Sequence, residues 1–115
     1  MKRMASYLSA VFFLLSPCHA AFLSGTGSIY VLQVLDDRVY GQDKDWFSLV
    51  GVTSLGACRT IPSSGYVALR IRDDAKGQRM FANLLAAKTS GTPLTVWVDD
   101  TITDSDGYCF VLNMQ

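Results

Sequence analysis

The chain has 115 residues and carries ten Lys and Arg against ten Asp and no Glu, so it is formally neutral. That balance excludes the basic excess which a nucleic-acid footprint requires. The length holds one small domain with a sufficient but not generous core.

Residues 1–21 read as a secretory signal peptide. Lys2 and Arg3 give a positive start, Tyr7 to Leu15 is a short apolar run, and Cys18-His19-Ala20-Ala21 offers small residues for cleavage after Ala20 or Ala21. The run is too short for a comfortable membrane span. The alternative is a lipoprotein signal, Leu15-Ser16-Pro17-Cys18, but Pro17 stands where such signals carry Gly or Ala. Removing 21 of 115 residues leaves 94, and residues 22–115 are read as a single domain with eight basic residues against ten Asp. The expected location is secreted or periplasmic, with no stable membrane span after cleavage.

Two cysteines remain, Cys58 and Cys109. In an oxidising compartment an isolated pair is most simply a disulfide. Closing so long a loop stabilises by about 4 kcal/mol in the chain-entropy model. Two buried free thiols are the alternative, and two Cys without a nearby His make a poor metal site. The single histidine, His19, leaves with the signal peptide. That removes the usual general base and the commonest metal ligand.

In chain order, Ser24 to Ser28 (S-G-T-G-S) reads as a flexible lead-in. Ile29 to Leu35 is the first strand, apolar on both faces. Asp36-Asp37 begins a turn, and Val39-Tyr40 reads as a short return before a polar loop. Trp46 to Val52 is the second strand, with Gly51 suggesting a bulge or a close backbone approach. A long connection, Thr53 to Gly65, carries Cys58. Tyr66 to Arg72 alternates cleanly: Val67, Leu69 and Ile71 point one way, Tyr66, Ala68, Arg70 and Arg72 the other. A helix follows, capped by Asp73 or Asp74, with Phe81, Leu84, Leu85 and Lys88 on one stripe. Gly91 suits the left-handed residue after it, and Pro93 forbids continuation. Leu94, Val96 and Val98 then alternate with Thr95 and Trp97 as a strand. Asp99 to Gly107 is an acidic turn region. Tyr108 to Met114 is the last strand, with Tyr108, Phe110, Leu112 and Met114 on one face and Cys109 on the other.

The fold class is therefore mainly β with one helix, in the order strand, strand, strand, helix, strand, strand. An open five-stranded sheet would leave exposed edges. Closing it into a barrel, with the helix between the third and fourth strands, is the OB-fold arrangement. An open α+β sheet with one helix on one face is the alternative.

The segment from Gly77 to Val96 fits a G-x-x-M-x-x-x-L-L-A-A-x-x-S-G-x-x-V/L-x-V pattern through Gly77, Met80, Leu84, Leu85, Ala86, Ala87, Ser90, Gly91, Leu94 and Val96. It resembles a segment of small secreted bacterial proteins, and the helix-to-strand segment in B subunits of AB5 toxins of the subtilase-cytotoxin and pertussis-like kind. The resemblance covers residues 77–96 and implies an OB-fold that forms a homo-oligomeric ring and binds glycans. It transfers no glycan-contacting residue, and the chain has no catalytic A-subunit signature.

Candidate ligand-binding residues fall in three groups. Asp99, Asp100, Asp104 and Asp106 form an acidic loop that can supply oxygen ligands to Ca²⁺, but a full D-x-D-x-D-G run with a distal Glu is missing. A solvated connection rich in turn formers is the favoured reading there, and no metal is expected. Trp97 faces away from Leu94, Val96 and Val98, where it can stack on a sugar, enter a subunit interface or lie under the Cys58-bearing loop. Tyr66, Arg70 and Arg72 share one strand face and can form an aromatic–basic patch for an anionic sugar, or a solvated face with Asp partners. Adjacent carboxylates such as Asp99 and Asp100 diverge along a strand, unlike a glycosidase pair. Thr26-Gly27-Ser28 is too short for a phosphate loop, so no cofactor is expected. The sequence thus reads as a non-enzyme: a binding module for a glycan or protein partner, not nucleic acid. The alternative is a small envelope or secreted protein acting by protein contact, such as a hydrolase inhibitor.

Overall fold

A computed structural model describes residues 22–115, so the signal-peptide reading of 1–21 lies outside the described residues. The elements are β1 (Leu23–Gly27), β2 (Ile29–Gln33), α1 (Asp37–Tyr40), β3 (Trp46–Leu49), β4 (Leu69–Arg70), α2 (Ala75–Ser90), β5 (Leu94–Thr103) and β6 (Cys109–Met114). The chain is mainly β with one main helix. Its strands form a six-stranded mixed sheet in the order β1-β5-β6-β4-β3-β2. β4 and β6 run parallel, and every other neighbouring pair is antiparallel. The sheet is not closed, because β1 and β2 stand at its two ends.

The sixth strand comes from the stretch read as a flexible lead-in. β1 pairs with β5 from Leu23 opposite Val98 to Gly27 opposite Leu94. Its glycines serve close approach: a Cβ on Gly27 would meet the Val50 carbonyl oxygen at 2.5 Å, and one on Gly25 a Val52 methyl at 2.9 Å. Only Ser28 separates β1 from β2, and its carbonyl accepts from Val50 N–H at 2.8 Å.

Several boundaries differ from the sequence reading. The expected turn and return at 36–40 is the short helix α1, capped by the Asp36 carboxylate accepting from Arg38 N–H. The second strand ends at Leu49 rather than Val52. Gly51 follows in a turn at φ +82° with nothing near its Cβ position, so it is no close approach. The third strand shortens to Leu69–Arg70, with Val67 bridged separately to Thr60. Asp99 to Thr103 continue β5, and only 104–107 turn.

α2 begins where Asp74 accepts from Gly77 N–H at 2.8 Å, and it ends at Gly91 in the left-handed region. Its buried stripe is Gly77, Met80, Leu84 and Ala87. Phe81 is only partly buried and Leu85 is exposed, so the inward face is rotated from the expected one. The small residues decide this. A Cβ on Gly77 would sit 1.7 Å from the Arg72 carbonyl oxygen, so that turn lies directly on the chain end of β4. Burial of Met80 and Leu84 contributes roughly 1.5–3 kcal/mol each.

The core gathers Phe47, Leu49, Val67, Leu69, Val96, Val98 and Val111 from the strands with Val52, Leu55 and Cys58 from the long connection. Cys58 and Cys109 form a disulfide with Cα atoms 5.4 Å apart. It pins that connection against β6 and removes the free-thiol alternative. Among the described residues, no helix is long and apolar enough to cross a membrane.

Candidate functional site

β6 organises the polar and aromatic chemistry of the molecule. Cys109 and Val111 point into the core, while Tyr108, Phe110 and Leu112 are half-buried on the outer side. The N-terminal end of this row meets a cluster of charges. Arg70 is 7% exposed, because β4 lies between β3 and β6 and both of its faces are covered. Arg70 is therefore not on a solvated outer face as alternation alone predicts. Its Nε donates to the Asp104 carboxylate at 2.7 Å, its Nη1 donates to the Lys44 carbonyl, and its guanidinium lies 4.8 Å from the Tyr108 ring centre. Asp104 also accepts from the backbone N–H of Asp106 and Tyr108. Lys44 Nζ stands 3.6 Å from Asp104 and 3.2 Å from Asp106. Burial pushes the Asp104 carboxyl up, but the Arg70 hydrogen bond, the two backbone donors and the Arg70 charge outweigh it. The group ends below the ordinary carboxylate value.

Arg59 lies over the same tyrosine at 5.1 Å and donates to the Asp106 carbonyl at 3.0 Å. One step along β6, Arg72 lies 5.9 Å from the Phe110 ring and pairs with Asp74 at 3.3 Å. Tyr66 belongs elsewhere. It meets Tyr30 edge to face at 5.1 Å, a contact worth about 1 kcal/mol. The expected Tyr66–Arg70–Arg72 patch is thus split: Arg70 and Arg72 flank neighbouring rings of one row, while Tyr66 lies apart against Tyr30.

The C-terminal end of the row opens into a shallow depression of about 830 Å³ lined by Phe22, Lys76, Trp97, Leu112 and Asn113. Trp97 stands opposite Ser24 on β1 and Asn113 on β6. Leu94, Val96 and Val98 are buried on the other side of β5, so Trp97 does face outward as the sequence pattern implies. No residue of the Cys58-bearing connection lines the depression, and Lys76 reaches it from the first turn of α2.

The four candidate aspartates fall into three settings. Asp99 closes a local turn onto Thr101, which lowers its carboxyl through the Thr101 hydroxyl and backbone donors. Asp100 accepts from Ala57 N–H at 2.9 Å, while Asp104 and Asp106 join the Arg70–Lys44 cluster. Among the described residues, no three His, Cys, Asp or Glu side chains are grouped to hold a metal ion. The sequence reading did not single out Lys44, Arg59, Lys76, Phe22, Leu112 or Asn113. The signal available for one of them, Leu112, was its alternation with Tyr108 and Phe110 on one strand face.

Comparison with known protein families, with curated proteins and with solved structures finds no match to this chain. None of these comparisons links the chain to toxin B subunits.

Proposed function

We propose that this chain is a secreted or periplasmic binding module of OB-fold type that recognises a glycan without transforming it. Support for the fold comes from the order of pairing. If β1 and β2 are one strand bent at Ser28, the ladder runs first strand, second, third, fifth, fourth, and back to the first, with the helix between third and fourth. The disulfide suits an oxidising compartment. Absence of an imidazole from residues 22–115 favours recognition over general acid–base chemistry.

The observation that carries the reading is the Trp97 depression. An outward indole, a second ring at Phe22, an amide at Asn113 and an ammonium at Lys76 converge on one open surface. Aromatic faces stack on the apolar side of a pyranose while amide and ammonium groups satisfy its hydroxyls. The toxin-B likeness points the same way and suggests a homo-oligomer. Glycan-array binding combined with native mass spectrometry tests this. The expected result is a bound glycan that is lost in Trp97→Ala, and a strict monomer that binds no glycan overturns the toxin-like reading.

A second reading, contact with a protein such as a hydrolase, draws on the exposed Tyr30, Val34, Val39 and Tyr40 around β2 and α1. A pull-down from periplasmic or host extract then yields one stoichiometric protein, and Tyr40→Ser weakens its capture while Trp97→Ala does not.

A further inference from the structure

The rings and cations along β6 form one continuous stripe. Tyr108, Phe110 and Leu112 alternate outward two residues apart, a step of about 6.8 Å along a strand. Trp97 and Phe22 extend the row at its far end. Cations accompany it throughout: Arg59 and Arg70 at Tyr108, Arg72 at Phe110, and Lys76 beside Trp97. They come from the Cys58-bearing connection, β4, the segment after β4 and α2, so the fold gathers them from four places. Half of the eight cations in residues 22–115 lie on this one stripe, although the same residues carry an excess of acid.

The four cations are not equivalent. Arg70 is neutralised by Asp104, and Arg72 shares its charge with the half-exposed Asp74. Asp106 beside the stripe is held by Lys44. Among the described residues, Arg59 and Lys76 have no carboxylate within ion-pair distance. One stands at each end of the row, with an aromatic and aliphatic floor between them.

We propose that this stripe, Tyr108, Phe110, Leu112 and Trp97 flanked by Arg59, Arg72 and Lys76, binds an extended anionic sugar chain lying along β6. The proposal rests on the glycan-binding reading and deepens it. A single sugar fills only the Trp97 end, whereas charge offered at both ends, over about 14 Å of strand from 108 to 112, matches a chain with repeated anionic groups. Rings facing outward between them offer stacking surfaces for the sugars. A single-stranded nucleic acid has related chemistry, and its binding is the competing outcome of the test.

Calorimetric titration of the purified protein with a heparin-derived hexasaccharide, its desulfated counterpart and a short oligothymidylate tests this. The sulfated hexasaccharide is expected to bind, more weakly as salt rises, and to bind more tightly than the other two. Arg59→Gln and Lys76→Gln, both at exposed positions, are each expected to weaken binding about threefold and together roughly tenfold, on the scale of exposed charge contacts. Thermal melts of these variants should match the parent protein. Equal binding of the desulfated chain, tighter binding of the oligothymidylate, or no binding of the sulfated chain overturns the proposal. If Trp97→Ala abolishes glycan binding while the Arg59 and Lys76 variants leave it unchanged, the extended site is wrong and the single-sugar reading stands.

Discussion

The two ends of β6 use the same residue types to opposite ends. At Tyr108 the charges are turned inward: Arg70, Asp104, Lys44 and Asp106 neutralise one another and tie the 41–45 loop, β4 and the 104–107 turn together. At Trp97 the cation is turned outward, since Lys76 meets rings and an amide rather than a carboxylate. The Arg70 cluster at the first end is structural, whereas among the described residues Lys76 at the second end, like Arg59 over Tyr108, has no carboxylate within ion-pair distance. A count of arginines and lysines along the sequence cannot separate the two cases.

The sharpest way to break this contrast is at Arg70. Arg70→Met leaves the nearly buried Asp104 without its closest cation, with Lys44 standing off at 3.6 Å, and the expected loss is about 3–5 kcal/mol in urea denaturation. Adding Asp104→Leu should recover most of it, because the pair as a unit contributes little net stability once both charges are gone. Removing the disulfide as Cys58→Ala with Cys109→Ala comes next, with an expected loss of about 2–5 kcal/mol by thermal or chemical denaturation. Gly77→Ala forces a methyl against the Arg72 carbonyl. The expected cost is about 1–3 kcal/mol, together with weaker protection of the α2 first turn in hydrogen exchange.

Acid reaches the inward cluster through Asp104. The folded Asp104 carboxyl lies below its ordinary value of 3.8. The stability it contributes is therefore fully present above that value and is lost as pH falls through the depressed folded one. Denaturation curves on the two sides of this window should differ more for the parent protein than for Asp104→Asn. Smallest of all is the effect of Lys76→Gln on stability, expected within about 0.5 kcal/mol. A larger loss there would show that Lys76 is structural too, and the contrast between the two ends would fail.

What the sequence revealed and what it hid follow from the same limit. Alternation at Leu94, Val96 and Val98 locates an inward face correctly, and Gly91 with Pro93 marks the helix end, because each signal is local. The cap at Asp74 is legible for the same reason, whereas the Cys58–Cys109 pair is legible because residues 22–115 contain just those two cysteines. β1 was hidden because S-G-T-G-S carries no apolar pattern. Its strand exists through pairing with β5 and through contact of Gly25 and Gly27 with the 50–52 turn, neither of which is written locally. Arg70 was misplaced because alternation assigns a second face but cannot say whether loops cover it. The buried stripe of α2 shifted because Gly77 and Ala87 hold their places by permitting contact rather than by being hydrophobic. The Trp97 orientation was readable, whereas its neighbours Phe22, Lys76 and Asn113 arrive from three distant parts of the chain.

Cys109 sits between Tyr108 and Phe110, so the sulfur bridge fastens the underside of the strand whose upper side carries the rings. Cutting that bond would leave every ring and cation present while removing the backing plate that keeps them in line. Exposure to a thiol reductant should therefore loosen the alignment of Tyr108 and Phe110 before the chain unfolds.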